Sequence, residues 1–302
     1  MRSKNHSRTS TTGYVIGVDG GGTKTIAALA NLQGKILKMG KSGASSPRNV
    51  GIEKTARNVA KAVKKVLPKE RRKVLSIFVG LPAVQEEFES KVMEIKKIIS
   101  RQVKGKLAVG SDQLVAFRSG TDSKDGIVLI AGTGCVAHGW KGKKEHKSSG
   151  WGWLADEGSG FWIGQRVFQA AFRDFDGRGP KTSLKVPIKK IYAIYAQNFV
   201  KEVSSLSIIC DQRARKGDKV SKLILTEAGR ELAESVKTVV KKLNLAKNAF
   251  PLVLIGSVLK SKIVLEQLKR GVKKYYPKVQ FVQPEKEPVT GAVKLAIEQI
   301  RS

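Results

Sequence analysis

A run of three glycines between an aspartate and two threonines is the stretch of this sequence best suited to hold an anion. The string GVDGGGTKT occupies residues 17–25 and overlaps the end of a short apolar run, Tyr14–Val18. Glycines leave backbone N–H groups uncovered, and a row of such groups forms a concave site for phosphate, to which Thr23 adds a hydroxyl donor. The alternative is a tight turn without a ligand. Asp19 is interpreted either as an Asx-turn residue or as a partner of Mg²⁺ that acts through water.

A second glycine turn follows another apolar strand. Gly132, Thr133 and Gly134 come directly after Ile127–Ala131, and the same reasoning predicts an anion site there. Neither turn is a Walker P-loop, since the sequence has no GxxxxGK[ST] string, and neither opens a helix as the dinucleotide-binding GxGxxG motif does. The two turns together predict phosphate-binding hairpins, one in each of two domains.

The elements that must position these turns follow a repeated order. Short apolar runs bounded by turn signals predict strands at 14–18, 26–32, 35–38, 74–79, 107–109, 127–131, 136–140, 252–255 and 279–282. A basic stretch at 143–147 predicts a further strand, after a turn at Lys141-Gly142. Apolar residues at helical spacing predict helices at 52–67, 86–99, from 111 onward, 156–172, 187–203, 219–243, 259–272 and 289–300. The order β-β-β-α-β-α-β-α begins again near Gly126. This repeat predicts two related α/β domains, and the cleft between such domains is a common place for a ligand.

Composition bounds the class of protein. The chain of 302 residues is long enough for two domains, and its hydrophobic content of 41% is that of a globular protein. No apolar run reaches the roughly 18 residues of a membrane span. Residues 1–13 are basic and lack the apolar core of a secretion signal, so we predict a disordered tail. Two cysteines, Cys135 and Cys210, are too few to staple the chain, which favours a reducing cytoplasm.

The formal net charge of +32 raises nucleic acid as a partner. The lysines are spread along the whole chain, often in pairs on predicted helices, and no basic cluster with interleaved aromatic residues accompanies them. We interpret them as solvated helix faces and expect neither specific nucleic-acid binding nor a membrane partner. A basic field of this kind also attracts anionic nucleotides.

Six strings together resemble the BadF/BadG/BcrA/BcrD-type ATPase family, in the N-acetylglucosamine kinase-like branch of the sugar kinase, actin and heat-shock chaperone ATPase superfamily. The resemblance covers nearly the full chain after the tail. Its strings are GVDGGGTKT from Gly17, GIVLIAGTGCVAHG from Gly126, GWGWLADEGSGFWIG from Gly150, DGRGPKT from Asp176, PLVLIGSVLKS from Pro251 and PVTGAVKLA from Pro288.

The resemblance implies two ribonuclease-H-like domains, as in actin-like ATPases, with a nucleotide cleft between them. The first would span 14–118 and the second 119–302, with the last helix either in the second domain or packed back on the first. The resemblance further implies a kinase that uses ATP and Mg²⁺ to phosphorylate a hexosamine, N-acetylglucosamine or glucosamine first. Many relatives are dimers, so a homodimer is a family expectation.

Site residues also follow from the resemblance. Asp112, which follows a predicted strand and starts a helix, occupies the place of the family's catalytic base; a helix cap by Ser111 or Asp112 is the alternative. Asp19 would hold Mg²⁺. The ATP-binding residues would be Gly20, Gly21, Gly22, Thr23, Lys24, Thr133, Gly134, Gly256 and Ser257. The sugar-binding residues would be Ser46, Asn49, Asp112, Gly150, Trp151, Gly152 and Asp156.

Departures from the family pattern bear on the sugar, and two other functions stay open. The family usually has a sugar-contacting asparagine where Ser46 stands, and Val136 replaces another found in some relatives. Other members activate dehydratases and reductases through an iron–sulfur cluster, which needs two cysteine thiolates per chain. Neither Cys135 nor Cys210 falls where those activators carry theirs. An ATP-dependent regulator that binds nucleic acid is the second alternative to the kinase.

Overall fold

The structure, a computed structural model, describes residues 13–70, 73–82, 89–101, 105–187, 191–192, 194–195 and 198–301. The chain divides into two compact units. Unit 1 combines the chain up to Ser119 with the segment from Glu285 onward, and unit 2 is Gly120–Pro284.

Unit 1 is built on a mixed five-stranded sheet in the order β3-β2-β1-β4-β5. Its strands are β1 (Tyr14–Gly20), β2 (Thr25–Asn31), β3 (Ile36–Ser42), β4 (Val74–Leu81) and β5 (Lys106–Ser111). Strands β1, β2 and β3 are antiparallel neighbours, whereas β4 runs parallel to β1 and β5 runs parallel to β4. The helices of this unit are α1 (Pro47–Val50), α2 (Ile52–Val66), α3 (Glu89–Ser100), α4 (Asp112–Gly120) and, at the end of the chain, α9 (Val289–Arg301).

Alternating side chains of the strands form two separate cores in unit 1. Ile16 and Val18 lie in a buried cluster with residues of α2 and α3. Val15 and Ile26 lie in another cluster with residues of α4 and α9. Because successive side chains of a strand point to opposite faces, this sheet has helices on both sides.

Unit 2 repeats the sheet order as β8-β7-β6-β9-β10. Its strands are β6 (Gly126–Ala131), β7 (Cys135–Lys141), β8 (Lys144–Ser149), β9 (Phe250–Ile255) and β10 (Val279–Val282). Its helices are α5 (Gly160–Phe175), α6 (Phe199–Arg215), α7 (Lys219–Leu243) and α8 (Lys262–Tyr275), with 3₁₀ turns at Leu245–Lys247 and Val258–Lys260. The duplicated order confirms the predicted α/β fold with two ribonuclease-H-like domains. Within the described ranges, no helix combines the length and apolar character needed to cross a bilayer.

The last helix lies in unit 1, one of the two placements that the sequence left open. Helix α9 packs on β1 and β4. It crosses α4 so closely that a Cβ added to Gly291 would lie 2.0 Å from Val115 O. Glu298 of α9 also pairs with the buried guanidinium of Arg118. Residues from Glu285 onward therefore pack with the first part of the chain.

Helix α5 begins four residues later than predicted. The sequence placed its start at Asp156, but the helix begins at Gly160. Ser159 caps it, because Ser159 Oγ accepts a hydrogen bond from Trp162 N at 3.2 Å. Gly158, with φ of 79°, interrupts the helical backbone just before that cap. Asp156 consequently lies in a loop and not in the first turn of a helix.

Other predicted segments lie partly or wholly outside the described residues. The predicted tail lies outside them except for Gly13, and so does the start of the helix predicted at 86–99. The helix predicted at 187–203 lies partly outside the described residues, and residues 191–192 and 194–195 are helical. Helix α6 begins at Phe199, after Asn198 in the left-handed region with φ of 59°. The hairpins, by contrast, are confirmed by the antiparallel pairing of β1 with β2 and of β6 with β7.

We expect the substitution Gly291→Ala to destabilise unit 1. The added Cβ would lie 2.0 Å from Val115 O and 2.7 Å from Ser119 N, so α4 and α9 would have to separate. Overpacking of this kind lowers the free energy of unfolding by about 1–3 kcal/mol. The measurement is urea unfolding followed by circular dichroism, because all four tryptophans lie in unit 2 and their fluorescence does not report on unit 1.

The matched control is Gly132→Ala, where an added Cβ meets nothing within 4 Å. Its free energy of unfolding should stay within about 0.5 kcal/mol of wild type. A Gly291→Ala variant as stable as this control would contradict the close crossing of α4 and α9.

Candidate active site

Two carboxylates of unit 1 lie at the same edge of its sheet. Asp19 is the penultimate residue of β1, and Asp112 is the first residue of α4, directly after β5. Strand β4 lies between and runs parallel to both, with Asp19 opposite Gly80 and Leu81 opposite Ser111. The carboxyl ends of parallel strands share one edge, which is where such sheets bind ligands. The structure therefore brings the predicted Mg²⁺ partner and the predicted base together.

The Asp19 carboxyl resists ionisation. Its pKa is raised to about 7, mainly because the group is buried and next because Asp112 carries like charge nearby. The ammonium of Lys24 lowers the pKa and Glu287 raises it, both to a smaller extent. A cation placed at this edge would offset the cost of two ionised carboxylates.

This edge fits a hydrated Mg²⁺ ion. Mg²⁺ takes oxygen donors, is held in such sites by one or two carboxylates, and keeps several waters. Asp19 supplies such a carboxylate, and the Asp112 carboxylate lies at the same edge. Among the described residues, no group of three or more His, Cys, Asp or Glu side chains is placed to hold a metal. The chemistry of the two carboxylates thus suits an ion whose remaining ligands are waters and a phosphate.

Ser111 caps helix α4. Its Oγ accepts a hydrogen bond from Leu114 N at 3.1 Å. Of the two capping candidates weighed from the sequence, Ser111 thus fills this role. Asp112 itself is half-buried at the sheet edge.

The first glycine turn is a hairpin loop that also anchors the loop after β3. Gly20 pairs with Thr25 across the hairpin, and Gly21 N donates to Lys24 O at 2.9 Å. Ser45 N donates to Gly21 O at 2.9 Å, and the buried Ser45 and Thr25 hydroxyls are hydrogen-bonded at 2.8 Å. A Cβ added to Gly20 would lie 2.4 Å from Ser45 Oγ. Gly20 is therefore required by packing, whatever else it contacts.

The tip of this turn lies beside two of the predicted sugar-binding residues. Gly22, Thr23 and Lys24 are exposed. Asn49 approaches the tip, since a Cβ added to Gly22 would lie 3.3 Å from Asn49 Nδ2. Ser46 is only 5% exposed, and its carbonyl accepts a hydrogen bond from Asn49 N at 3.0 Å. The predicted phosphate-binding residues of unit 1 thus lie next to the Ser46–Asn49 segment.

The second glycine turn is fixed by the start of helix α5. It joins β6 to β7, and Gly132 N donates to Gly134 O at 2.9 Å. Gly160 N, at the helix start, donates to Gly132 O at 2.7 Å, and Phe161 N donates to Thr133 O at 3.1 Å. The carbonyls of the turn thus satisfy N–H groups that a helix N-terminus leaves unpaired. Thr133 itself is exposed.

The predicted adenosine residues lie at the same sheet edge as this turn. Strand β9 runs parallel to β6, with Ile255 opposite Ile130, so Gly256 and Ser257 follow β9 where the turn follows β6. Gly256 has φ of 122°, and a Cβ there would lie 2.1 Å from Ala131 O. Only glycine fits this position. Ser257 is exposed.

The carboxylate of Asp156 organises two loops of unit 2. Asp156 Oδ1 accepts hydrogen bonds from Gly150 N at 2.9 Å, Trp151 N at 3.0 Å and Gly152 N at 3.3 Å. Asp156 Oδ2 accepts one from Cys135 N, next to the glycine turn, at 3.2 Å. The side chain is 4% exposed. This single carboxylate therefore ties the GWG segment to the second glycine turn.

These contacts limit what Asp156 offers a ligand. Burial raises its pKa, and the four backbone donors lower it. A carboxylate accepts about four hydrogen bonds, two for each oxygen, so Oδ1 is saturated and Oδ2 has room for one more donor. Gly134 packs on the same side, where an added Cβ would lie 2.6 Å from Oδ2. A sugar contact by Asp156 stays a prediction, and it would have to go through Oδ2.

The tryptophans around Asp156 are of two kinds. Trp151 is 83% exposed. Trp153 packs on Phe161, with ring centroids 4.6 Å apart, and Trp162 is buried with the Arg166 guanidinium 4.1 Å from its ring. Trp151 is thus accessible to a ligand, and the other two belong to the core.

Both cysteines are buried, protonated thiols. Cys135 Sγ donates to Glu157 O at 3.1 Å, and Cys210 Sγ, in α6, donates to Ser221 O at 3.6 Å. Burial raises the pKa of each thiol to about 12. A cluster ligand must reach the iron, and both sulfur atoms are buried inside unit 2.

The residues that hold these loops in place were missed from the sequence. Thr25 and Ser45 form a buried hydroxyl pair, and Asn58 Nδ2 donates to Ala44 O at 2.6 Å. A threonine at the start of an apolar strand and an asparagine on the apolar side of a helix were the available signals. Ser159 was readable as a helix cap from its residue type.

Comparison with known proteins adds independent findings. The sequence profile of the BadF/BadG/BcrA/BcrD ATPase family matches residues 16–296. The chain is 31% identical over 300 residues to the N-acetylmuramic acid/N-acetylglucosamine kinase of Clostridium acetobutylicum, across 94% of this chain and 98% of that protein. It is 29% identical to the N-acetyl-D-glucosamine kinase of Dictyostelium discoideum, across 93% of this chain and 97% of that protein.

A solved structure shares the fold. It is a ROK family glucokinase from Streptomyces griseus in complex with glucose and AMPPNP, with a TM-score of 0.58. The match covers 95% of this chain and 100% of that one, at 17% identity. At that identity the match bears on the fold alone.

We expect Asp156→Asn to loosen at least one of the two loops that the carboxylate holds. Asparagine keeps one acceptor oxygen, so its amide nitrogen must face either the N–H groups of residues 150–152 or that of Cys135, and the side left without an acceptor should exchange with solvent faster. Unpaired buried donors should also lower the free energy of unfolding by about 1–3 kcal/mol. Hydrogen exchange followed by mass spectrometry measures the first effect, and urea unfolding measures the second.

The matched control is Asp125→Asn, because Asp125 Oδ1 accepts one exposed hydrogen bond, from Gly142 N at 2.9 Å. It should change neither measurement appreciably. Unaltered exchange at both residues 150–152 and Cys135 in Asp156→Asn would show that the carboxylate does not hold these loops.

Native protein should resist alkylation at both cysteines. A thiol pKa of about 12 leaves a thiolate fraction near pH 8 that is roughly a thousandth of that of an ordinary cysteine. Iodoacetamide at pH 8, read by intact mass, should label the folded protein slowly and the unfolded protein at both positions. Rapid labelling of the folded protein would contradict the buried, protonated state.

Proposed function

The chain belongs to the BadF/BadG/BcrA/BcrD ATPase family, and from that premise we propose that it is a kinase that transfers the γ-phosphoryl group of ATP to a hexosamine hydroxyl. N-acetylglucosamine is the first candidate substrate and glucosamine the second. The observation that carries the proposal is the pair Asp19 and Asp112 at one sheet edge, with Asp19 next to a glycine turn. The names of the two relatives, at 31% and 29% identity, support this choice.

Phosphate and nucleoside binding fall to the glycine turns. Phosphoryl transfer depends mainly on holding the reacting groups in position and on neutralising the charge of the phosphates. Backbone N–H groups and the ammonium of Lys24 would neutralise that charge. The proposed phosphate-binding residues are Gly20, Gly21, Gly22, Thr23 and Lys24 in unit 1 and Thr133 and Gly134 in unit 2. Gly256 and Ser257 are proposed to contact the adenosine. Mg²⁺, held by Asp19 through water, would supply positive charge at the phosphates.

Asp112 is proposed as the general base. As the sugar oxygen forms its bond to the γ-phosphorus, the bond to the bridging oxygen of ADP breaks and Asp112 takes the hydroxyl proton. The remaining proposed sugar contacts are Ser46, Asn49, Gly150, Trp151, Gly152 and Asp156. Trp151 would supply an apolar face, and Asp156 would act mainly through the backbone that it holds.

Location and oligomeric state are two further proposals. We infer a cytoplasmic location, for which the reduced, buried cysteines are a supporting observation. We infer a homodimer because many members of the family are dimers. The iron–sulfur activator is disfavoured by the burial of both cysteines.

We expect Asp112→Asn to lower kcat by about 10²–10⁴-fold while the KM for ATP changes by less than about threefold, because the base acts in the transition state. The measurement is ADP release with saturating Mg-ATP and sugar. Glu53→Gln is the matched control, an acid-to-amide change on the exposed face of α2, and it should retain wild-type rates. A fully active Asp112→Asn variant would remove Asp112 as the base.

A sugar panel tests the proposed substrate class. Mg-ATP is combined with N-acetylglucosamine, glucosamine, N-acetylmuramic acid and glucose, and ADP release is measured for each. We expect N-acetylglucosamine to give the highest kcat/KM of the four sugars. If none of the four stimulates ADP release above the sugar-free rate, the hexosamine kinase proposal fails.

A further inference from the structure

Unit 2 contains a long basic segment with almost no acids. Residues 235–284 contain eleven lysines and arginines but a single acid, Glu266, so about a sixth of the chain carries nearly a third of the net charge of +32.

The ends of helices α7 and α8 bring these lysines together. Lys237 Nζ of α7 lies 4.6 Å from the ring centroid of Tyr275 at the end of α8, and Lys274 Nζ lies 5.6 Å from the same ring. Lys278 Nζ donates to Lys247 O at 3.2 Å, which joins the segment after α8 to the 3₁₀ turn after α7. We call the resulting patch the lysine surface. It comprises Lys141, Lys237, Lys241, Lys242, Lys247, Lys273, Lys274 and Lys278.

Local contacts account for only some of these charges. Lys141 Nζ donates to Asn244 O at 2.7 Å, a carbonyl at the C-terminal end of α7, where a cation is favoured. Lys237 pairs with Glu234. For Lys241, Lys242 and Lys273, no carboxylate of the described chain lies within ion-pair distance. All three are exposed, so their mutual repulsion is relieved by solvent or by a bound polyanion.

An exposed aromatic ring lies within the lysine surface. Tyr275 is 57% exposed, and the other large hydrophobic side chains among the described residues of 235–284 are buried or half-buried. Binding to a membrane surface would call for several apolar side chains beside the lysines. Ammonium groups around one aromatic ring match instead the combination that binds single strands, in which phosphates meet cations and a base stacks on a ring.

We propose that the lysine surface binds single-stranded nucleic acid, without sequence preference, through its phosphates and through stacking on Tyr275. Contacts to phosphates carry no sequence information, and the binding is electrostatic and sensitive to salt. The lysine surface shares no residue with the proposed kinase site. This binding is therefore independent of the kinase reaction.

The first experiment removes charge from the lysine surface. Fluorescence anisotropy with labelled oligothymidylate and oligouridylate of about 20 nucleotides measures Kd between 50 and 300 mM NaCl. Wild type should bind with a Kd of about 1–100 μM at 100 mM salt. The variant Lys241→Gln/Lys242→Gln/Lys273→Gln/Lys274→Gln should bind at least about tenfold more weakly, and its slope of log K against log salt should be shallower by about 3.

The matched control removes the same charge from unit 1. It replaces four exposed lysines by glutamine: Lys54, Lys61, Lys64 and Lys69. The Kd of this control should stay within about twofold of wild type. Circular dichroism melting verifies that both variants are folded. An equal loss of affinity in the control would show that diffuse net charge, and not the lysine surface, attracts the strand.

Variants of Tyr275 test whether a base stacks on its ring. Tyr275→Ala should weaken binding by about fivefold or more with an unchanged salt slope, whereas Tyr275→Phe should retain the wild-type Kd. An alanine variant that binds as wild type would remove Tyr275 from the proposal. Anionic phosphatidylserine vesicles serve as the competing ligand. The nucleic-acid proposal is overturned if wild type binds these vesicles but shows no saturable oligonucleotide binding at 50 mM salt.

Discussion

Parallel strands at the centre of each sheet put their carboxyl ends on one edge, and the positions of Asp19, Asp112 and both glycine turns depend on that arrangement. In unit 1 this edge carries Asp19 and Asp112, at the ends of strands that flank β4. In unit 2 it carries the turn 132–134 and Gly256, after the parallel strands β6 and β9. The antiparallel hairpins leave from the same edge, because each glycine turn begins where its first strand ends. One sheet order, used twice, thus places a glycine turn beside the end of a parallel strand in both units.

The bare backbone of the glycine turns is required by the protein's own atoms. Gly20 leaves room for the Ser45 hydroxyl, Gly134 for the Asp156 carboxylate and Gly256 for a carbonyl of β6. A glycine-rich string therefore reports close packing at least as directly as it reports a ligand. The positions that are glycine-rich, exposed and at the hairpin tips are the ones where ligand contact is the simpler explanation, and Gly22 is the clearest of them.

Asp19 and Asp156 illustrate two uses of a buried carboxylate. Asp156 receives four backbone N–H donors, which stabilise its charge and rigidify the segments that supply them. Asp19 lies near a second carboxylate, and its pKa is raised to about 7. Such a group is stabilised by a cation that arrives with a ligand. Asp156 is therefore suited to shape a binding loop, and Asp19 is suited to the phosphate end of the reaction.

Local patterns and recognisable strings determined a large part of this protein from its sequence. The repeated order of elements, both glycine hairpins and the bounds of α7 at Lys219–Leu243 were predictable, because strand and helix periods and turn residues act over a few positions. The sheet-edge position of Asp112 was predictable because strand, cap and helix start adjoin in the chain.

Contacts between distant residues were decided only by the tertiary structure. The backbone partners of Asp156 include Cys135, twenty-one positions away, and the crossing partner of α9 is a helix that lies more than a hundred residues earlier. Packing also separated exposed Trp151 from buried Trp162, and it gathered the ends of α7 and α8 into one lysine surface. Sequence periodicity carries no information on which distant groups meet, because that choice depends on how complete elements pack.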